Sequence, residues 1–322
     1  MWDLVLWTVI LVVTGGVGLP VARSMPSRLA WRTSLAPAFG IAVLAIVVPI
    51  AYRFGVAMKP MLVVAAIVAV ISIALHVRRH GVPRDRRGRW LAGAWLVAAL
   101  VLLAPRWTGG DQFAVFQGNQ WDTYGYLDSA LSYATRPYHS IHAAGPLELL
   151  RNPLFAIAQG QLDERPSVHE LYALFSRIAP GQAYRLYYTF LVWFMAQLVL
   201  VGLFVARTVL PRARPWAWLA IAVAFPLGFW GQYVVDINAW SQIASAPLLF
   251  AMFGFVLLAP GAWSRRDGWR LAGGLAVACA GAVYLYPEGF FISCAALVPV
   301  GAVATAWPML RTRRLELARV IP

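Results

Sequence analysis

The chain has 322 residues, of which 61% are hydrophobic and 12% charged, with a mean hydropathy of +0.66. A soluble domain holds roughly 45–50% apolar and about 25% charged residues, so this composition excludes a soluble globular protein and assigns the surplus apolar surface to lipid. The formal charge is +14, and the two cysteines, Cys279 and Cys294, both sit in apolar runs, which excludes a disulfide framework.

Apolar runs follow one another at about 2–20, 36–52, 61–77, 90–105, 186–206, 215–231, 242–260, 271–286 and 289–308. Most approach the roughly 20 residues that a helix needs to cross about 30 Å of hydrocarbon. They predict an all-α integral membrane protein with about nine transmembrane helices and one long, partly helical extracytoplasmic loop. Residues 1–105 form four helices, 106–185 the loop, and 186–322 five helices and a basic tail. The first run has no basic residue before it and no small-residue cleavage site after Gly18, so it reads as a retained helix.

The arginines set the orientation. With the N-terminus outside and the C-terminus cytoplasmic, the inner connections hold 19 of the 27 basic residues, while the short outer connections hold only Arg53 and Lys59. The positive charge is thus a topology signal of a multi-pass protein in the plasma or inner membrane, and no nucleic-acid partner is expected. Nine of the 13 acidic residues fall outside: Asp111, Asp122, Asp128, Glu148, Asp163, Glu164, Glu170, Asp236 and Glu288.

The outer loop of about 80 residues far exceeds what a connector needs, and such loops carry function or structure of their own. Trp121, Tyr124, Leu127 (or Asp128) and Leu131 recur at helical spacing and predict an amphipathic helix on the membrane surface, with Asp122 in its first turn. A carboxylate there is also favoured by the helix dipole alone. Asp128 falls off the face of Asp122 and reads as a solvated or packing residue. His139 and His142 are flanked by Pro137 and Pro146, which disfavours a regular helical metal pair. Val168, Leu171, Tyr172, Leu174, Phe175 and Ile178 form a second stripe, expected in a lid or packing helix.

Two later outer connections carry polar groups. Gln232, Tyr233, Asp236, Asn238, Ser241 and Gln242 follow the sixth run, and Tyr284-Leu285-Tyr286-Pro287-Glu288-Gly289 turns the chain between the last two. A carboxylate at membrane depth needs hydration or a partner, so Asp236 and Glu288 are expected to face a wet cavity under the loop. For Glu288 the plain alternative is a turn at the water boundary.

The stretch Asp122-Thr-Tyr-Gly-Tyr-Leu-Asp-Ser-Ala-Leu-Ser-Tyr, at the start of a surface helix in an outer loop, resembles the catalytic segment of the GT-C type of polytopic glycosyltransferase. The resemblance covers about a dozen residues and the helix-and-loop plan. It implies transfer of a sugar from a polyprenyl-phosphate-linked donor to a glycan or lipid acceptor outside the cytoplasm. Asp122 would be the general base, with Asp111 as the second candidate. Arg106, Arg136 and Arg165 are candidates for binding the lipid phosphate, and Asp236, Asn238, Gln242, Tyr286 and Glu288 for lining the sugar site. A divalent metal is compatible with this reading, with no protein ligands assigned to one. The chain departs from the family pattern in having four spans before the loop, Thr123 after Asp122, and no outer domain at its end, which points to a divergent or truncated member.

Two other functions compete. A transporter or flippase needs polar groups at membrane depth, and ionisable residues within the nine runs are scarce, with His76 and Arg53 near helix ends. A non-catalytic subunit of an assembly that builds cell-envelope glycans is the third reading.

Overall fold

A computed structural model describes residues 2–27, 29, 32–81, 86–109, 121–145, 151, 156–160, 166–227, 240–258 and 264–320. The described residues contain helices and no strand. In chain order they are α1 (Trp2–Ser24), a 3-10 turn (Arg32–Leu35), α2 (Ala36–Arg53), α3 (Met58–His80) and α4 (Arg86–Gly109). The loop contributes α5 (Trp121–Thr135), α6 (Tyr138–His142) and α7 (Pro166–Ser176). Then come α8 (Ala183–Val209), α9 (Pro215–Leu227), α10 (Trp240–Leu258), α11 (Arg265–Leu285) and α12 (Pro287–Val320).

Helices stand at each of the nine apolar runs. Seven are long and apolar enough to cross a membrane, and the other two positions hold the shorter apolar stretches Trp95–Ala104 and Pro215–Ala224. The protein is thus an all-α membrane protein with seven such helices among the described residues.

Sequence decides which helices face lipid. On α3, Val63, Val64, Ile67, Val68, Val70 and Ile71 are exposed, as are Phe291, Ile292, Val298 and Val303 on α12. These helices form the rim, where apolar side chains meet acyl chains instead of protein. By contrast α8 is buried along nearly its whole length, with Tyr187, Phe190, Trp193, Phe194 and Phe204 inside. It is the axis of the bundle, packed against α1, α4, α9 and α10.

Small residues allow the tightest crossings, as is common where lipid supplies no hydrophobic drive between helices. A Cβ on Gly18 would run into the backbone of Ala36 and Gly40, and one on Gly40 into the backbone of Thr14, so α1 and α2 meet main chain to main chain. Gly16 sits against Ala69 of α3, while Gly15 has open space. Gly281 of α11 is seated against Ala42 of α2. Polar groups pin the same bundle: Trp7 Nε1 donates to the Thr189 carbonyl at 2.7 Å, the Thr189 hydroxyl donates to Asp3, and Ser34 donates to the Leu200 carbonyl at 3.2 Å.

The loop helices depart from a simple surface arrangement. In α5 the buried face is Leu127, Ala130 and Tyr133, with Leu131 half-buried, and this face packs on α7. α7 goes further. Every residue from Ser167 to Ser176 is buried, and the helix contacts α2, α3, α5, α8, α10 and α11. Of the two roles expected for it, α7 is a packing helix, and it lies inside the bundle.

Candidate functional site

Two places in the described structure offer chemistry. The first is an apolar groove of about 790 Å³ between α8, α9, α10 and α12. Val205, Ile221, Leu249, Phe250, Phe253, Ile292 and Leu297 line it, with Ser245 and Ser293 as small polar breaks. One end is polar. There Gln242, in the first turn of α10, donates from Nε2 to the Tyr286 hydroxyl at 3.4 Å. Tyr286 is the single residue between α11 and α12, so the chain reversal expected at 284–289 is sharper than a loop. Glu288 is exposed in the first turn of α12, where the helix dipole favours a carboxylate. Its exposure fits the turn at the water boundary that was the plain alternative for it.

The second place surrounds α7 and Trp240. The Trp240 ring is fully buried among Tyr126 (5.7 Å between centroids), His169 (5.9 Å), Tyr172 (5.4 Å, edge-on) and Tyr187 (6.2 Å, stacked). Tyr126 also lies 4.9 Å from His169. Tyr172 donates its hydroxyl to the Ala183 carbonyl, and burial holds that phenol well above its ordinary pKa. Glu170 sits one residue beyond His169 with no solvent exposure, and neither carboxyl oxygen has a hydrogen-bond partner among the described residues. Burial pushes its carboxyl well above the usual carboxylate range, an effect the positive charge of Arg53 offsets only in part. Its environment accordingly favours the protonated form over the carboxylate.

Of the residues singled out from sequence, the structure brings Gln242 and Tyr286 into direct contact and leaves Glu288 just beyond them on the surface. Arg136, exposed, follows α5, and its carbonyl accepts from the Tyr52 hydroxyl at 2.8 Å. Asp111, Arg165, Asp236 and Asn238 lie outside the described residues, as do the side chains of Arg106 and Asp122. The backbone at 122 is in the first turn of α5, the helix expected there. Asp128 accepts from the exposed Tyr184 hydroxyl at 2.9 Å and so joins α5 to α8, which fits the packing one of the two roles expected of it. His139 and His142 both pack on the Tyr138 ring, and among the described residues no three His, Cys, Asp or Glu side chains converge as metal ligands. Cys279 and Cys294 are free thiols, half-buried.

Sequence reasoning placed Glu170 among the outer acids without foreseeing its burial, and gave Trp240 no role. One signal for Glu170 was present: an acid embedded in the stripe Val168, Leu171, Tyr172, Leu174, where a solvated residue has no place. Comparison with protein-family models, curated proteins and solved structures finds no match to this chain.

Proposed function

We propose that the chain is a membrane glycosyltransferase that moves a sugar from a polyprenyl-phosphate-linked donor to a glycan or lipid acceptor on the extracytoplasmic side. The observation that carries this reading is the groove. Its apolar walls suit the tail of a lipid-linked substrate, and its polar end at Gln242 and Tyr286 suits a hydrogen-bonding head. Tyr126 of α5 and His169 of α7 pack on Trp240 at the start of α10, two residues before Gln242, so the described loop helices adjoin the polar end of the groove.

In this reading Asp122 accepts the proton of the acceptor hydroxyl as that oxygen bonds to the anomeric carbon. The bond from that carbon to the lipid phosphate oxygen breaks, and the phosphate leaves with the electron pair. Arginines of the loop, with Arg136 on the described surface, stabilise the leaving anion. The N-terminus is extracytoplasmic and the C-terminus cytoplasmic, because the Arg-rich connections then lie inside. The membrane is the plasma or inner membrane.

The test uses protein purified in mild detergent. A polyprenyl phosphate or its glycoside is expected among the co-purifying lipids, and Asp122→Asn is expected to abolish transfer from such a donor while the lipid still co-purifies. Full activity of Asp122→Asn removes that residue from the base role. Absence of any prenyl lipid removes the function.

A second reading is favoured by one observation. Glu170 is an ionisable group buried within the bundle, of the kind that proton-coupled transporters use. Uptake of a lipid-linked glycan into vesicles, dependent on a proton gradient and lost in Glu170→Gln, distinguishes that reading from transfer.

A further inference from the structure

The end of the bundle opposite the loop holds a cluster that neither reading uses. Arg23 is in the last turn of α1, Arg32 opens the 3-10 turn before α2, and Arg270 lies in the second turn of α11. Packing brings these three distant segments together. Arg32 donates from Nη1 to the Met25 carbonyl at 2.5 Å, and the Met25 side chain lies against Gly274, one turn beyond Arg270. Arg32 is within electrostatic range of both Arg23 and Arg270.

All three arginines are half-buried, whereas Arg78, Arg79, Arg265 and Arg266 around them are exposed. The acid beside them is Asp267, 3.4 Å from Arg270, which leaves three guanidinium groups facing one carboxylate among the described residues. Guanidinium does not shed its proton in a protein. The like charges are therefore not relieved by titration, and half-burial denies them the full screening that water gives the exposed arginines. An anion between them removes the repulsion. Helix ends where apolar runs stop lie at headgroup depth, and there the available anion is a lipid phosphate.

We propose that Arg23, Arg32 and Arg270 form a binding site for the phosphate headgroup of an anionic membrane lipid. The site is separate from the groove and from the loop acids, and it does not depend on the transfer reaction. Clustered guanidinium groups match the more highly charged, unshielded oxygens of a phosphomonoester better than the shielded phosphate of a choline lipid.

The experiment measures binding of phosphatidic acid, phosphatidylcholine and inorganic phosphate to the purified 322-residue chain by native mass spectrometry. Wild type is expected to retain phosphatidic acid over phosphatidylcholine. Arg32→Gln is expected to weaken phosphatidic acid about ten-fold, the loss of a charge-assisted hydrogen bond. Arg79→Gln, which alters an exposed arginine at the same end, is expected to change it under about two-fold. Should Arg32→Gln fail to fold, Arg270→Gln carries the same expectation. Equal effects at Arg32 (or Arg270) and Arg79, or no preference for phosphatidic acid, overturn the site in favour of diffuse surface charge. Displacement of the lipid by equimolar inorganic phosphate overturns the lipid assignment in favour of a free-phosphate site.

Discussion

The Ser167 hydroxyl donates to the Ala45 carbonyl at 2.9 Å across the junction of α7 and α2. Ala45 is four residues before Pro49, which lies inside α2 and has no N–H to offer the carbonyl one turn back. The loop helix thus supplies the donor that proline withholds.

Ser167→Ala leaves that buried carbonyl unsatisfied and is expected to cost about 1–3 kcal/mol of stability. In a Pro49→Ala background the backbone N–H returns, and the same serine change is expected to cost distinctly less. Thermal unfolding of the four proteins in detergent gives the coupling. An additive pair of effects would show that Ser167 does not serve the proline defect.

Glu170 makes stability depend on pH in a definite direction. Its carboxyl keeps its proton in the folded chain above the ordinary value of 4.5, whereas the unfolded chain releases it there. The folded state then binds more protons than the unfolded one, so Glu170's contribution falls as pH rises from about 4.5 toward its raised folded pKa. Glu170→Gln keeps the neutral shape and is expected to flatten the melting temperature against pH over that range. It should leave stability near wild type at the acid end and raise it at neutral pH. A parallel profile would mean that Glu170 ionises normally. The carbonyl stretch of a protonated acid in wild type, absent from the variant, gives an independent infrared check.

Asp128 and Asp122 are separated by six residues and are expected to respond differently. Asp128→Asn weakens only the bond to exposed Tyr184 and is expected to cost at most about 1 kcal/mol while transfer activity persists. Asp122→Asn is expected to do the reverse, with stability kept and activity lost. Loss of activity in both would indicate that the pairing of α5 with α8, not one acid, controls the reaction.

The glycine crossings give a test of packing alone. Gly40→Ala puts a methyl into the backbone of Thr14 and is expected to destabilise by at least about 1–3 kcal/mol, while Gly15→Ala enters open space and is expected to be neutral or slightly stabilising. Size-exclusion profiles after a heat step read both. Equal behaviour would place the α1–α2 contact further apart than described.

The groove is open to the same approach. Ala296→Phe adds a ring to its wall and is expected to lower the amount of co-purified lipid and raise KM more than it lowers kcat. An unchanged lipid content would take the groove out of substrate binding.

Much of this architecture was legible in the residues. The positions of the apolar helices and the helix beginning near Trp121 follow from hydropathy and spacing, which report local preference. The placement of α7 did not follow. Its apolar stripe, Val168 to Phe175, describes one face, and a stripe cannot tell whether the other face meets water or protein. That is settled by contacts with helices distant in the chain, and with it the state of Glu170. The buried face of α5 also differs in part from the one read from spacing, because α7 and not lipid covers it. Gln242 and Tyr286 were legible as polar groups at helix ends, yet their hydrogen bond arises from the packing of α10 beside the α11–α12 junction.

The enclosure of α7 also bears on how the chain assembles. The helix emerges from synthesis after α2, α3 and α5 and before α8, α10 and α11, and all six touch it. The later three therefore lack a complete packing surface until a segment from the loop has moved in among the earlier ones. Such an order, in which long-range closure must precede completion of the core, makes biogenesis sensitive to the loop's arrival. A nascent chain stalled before α7 docks would display the apolar sides of α2 and α5 to quality-control machinery.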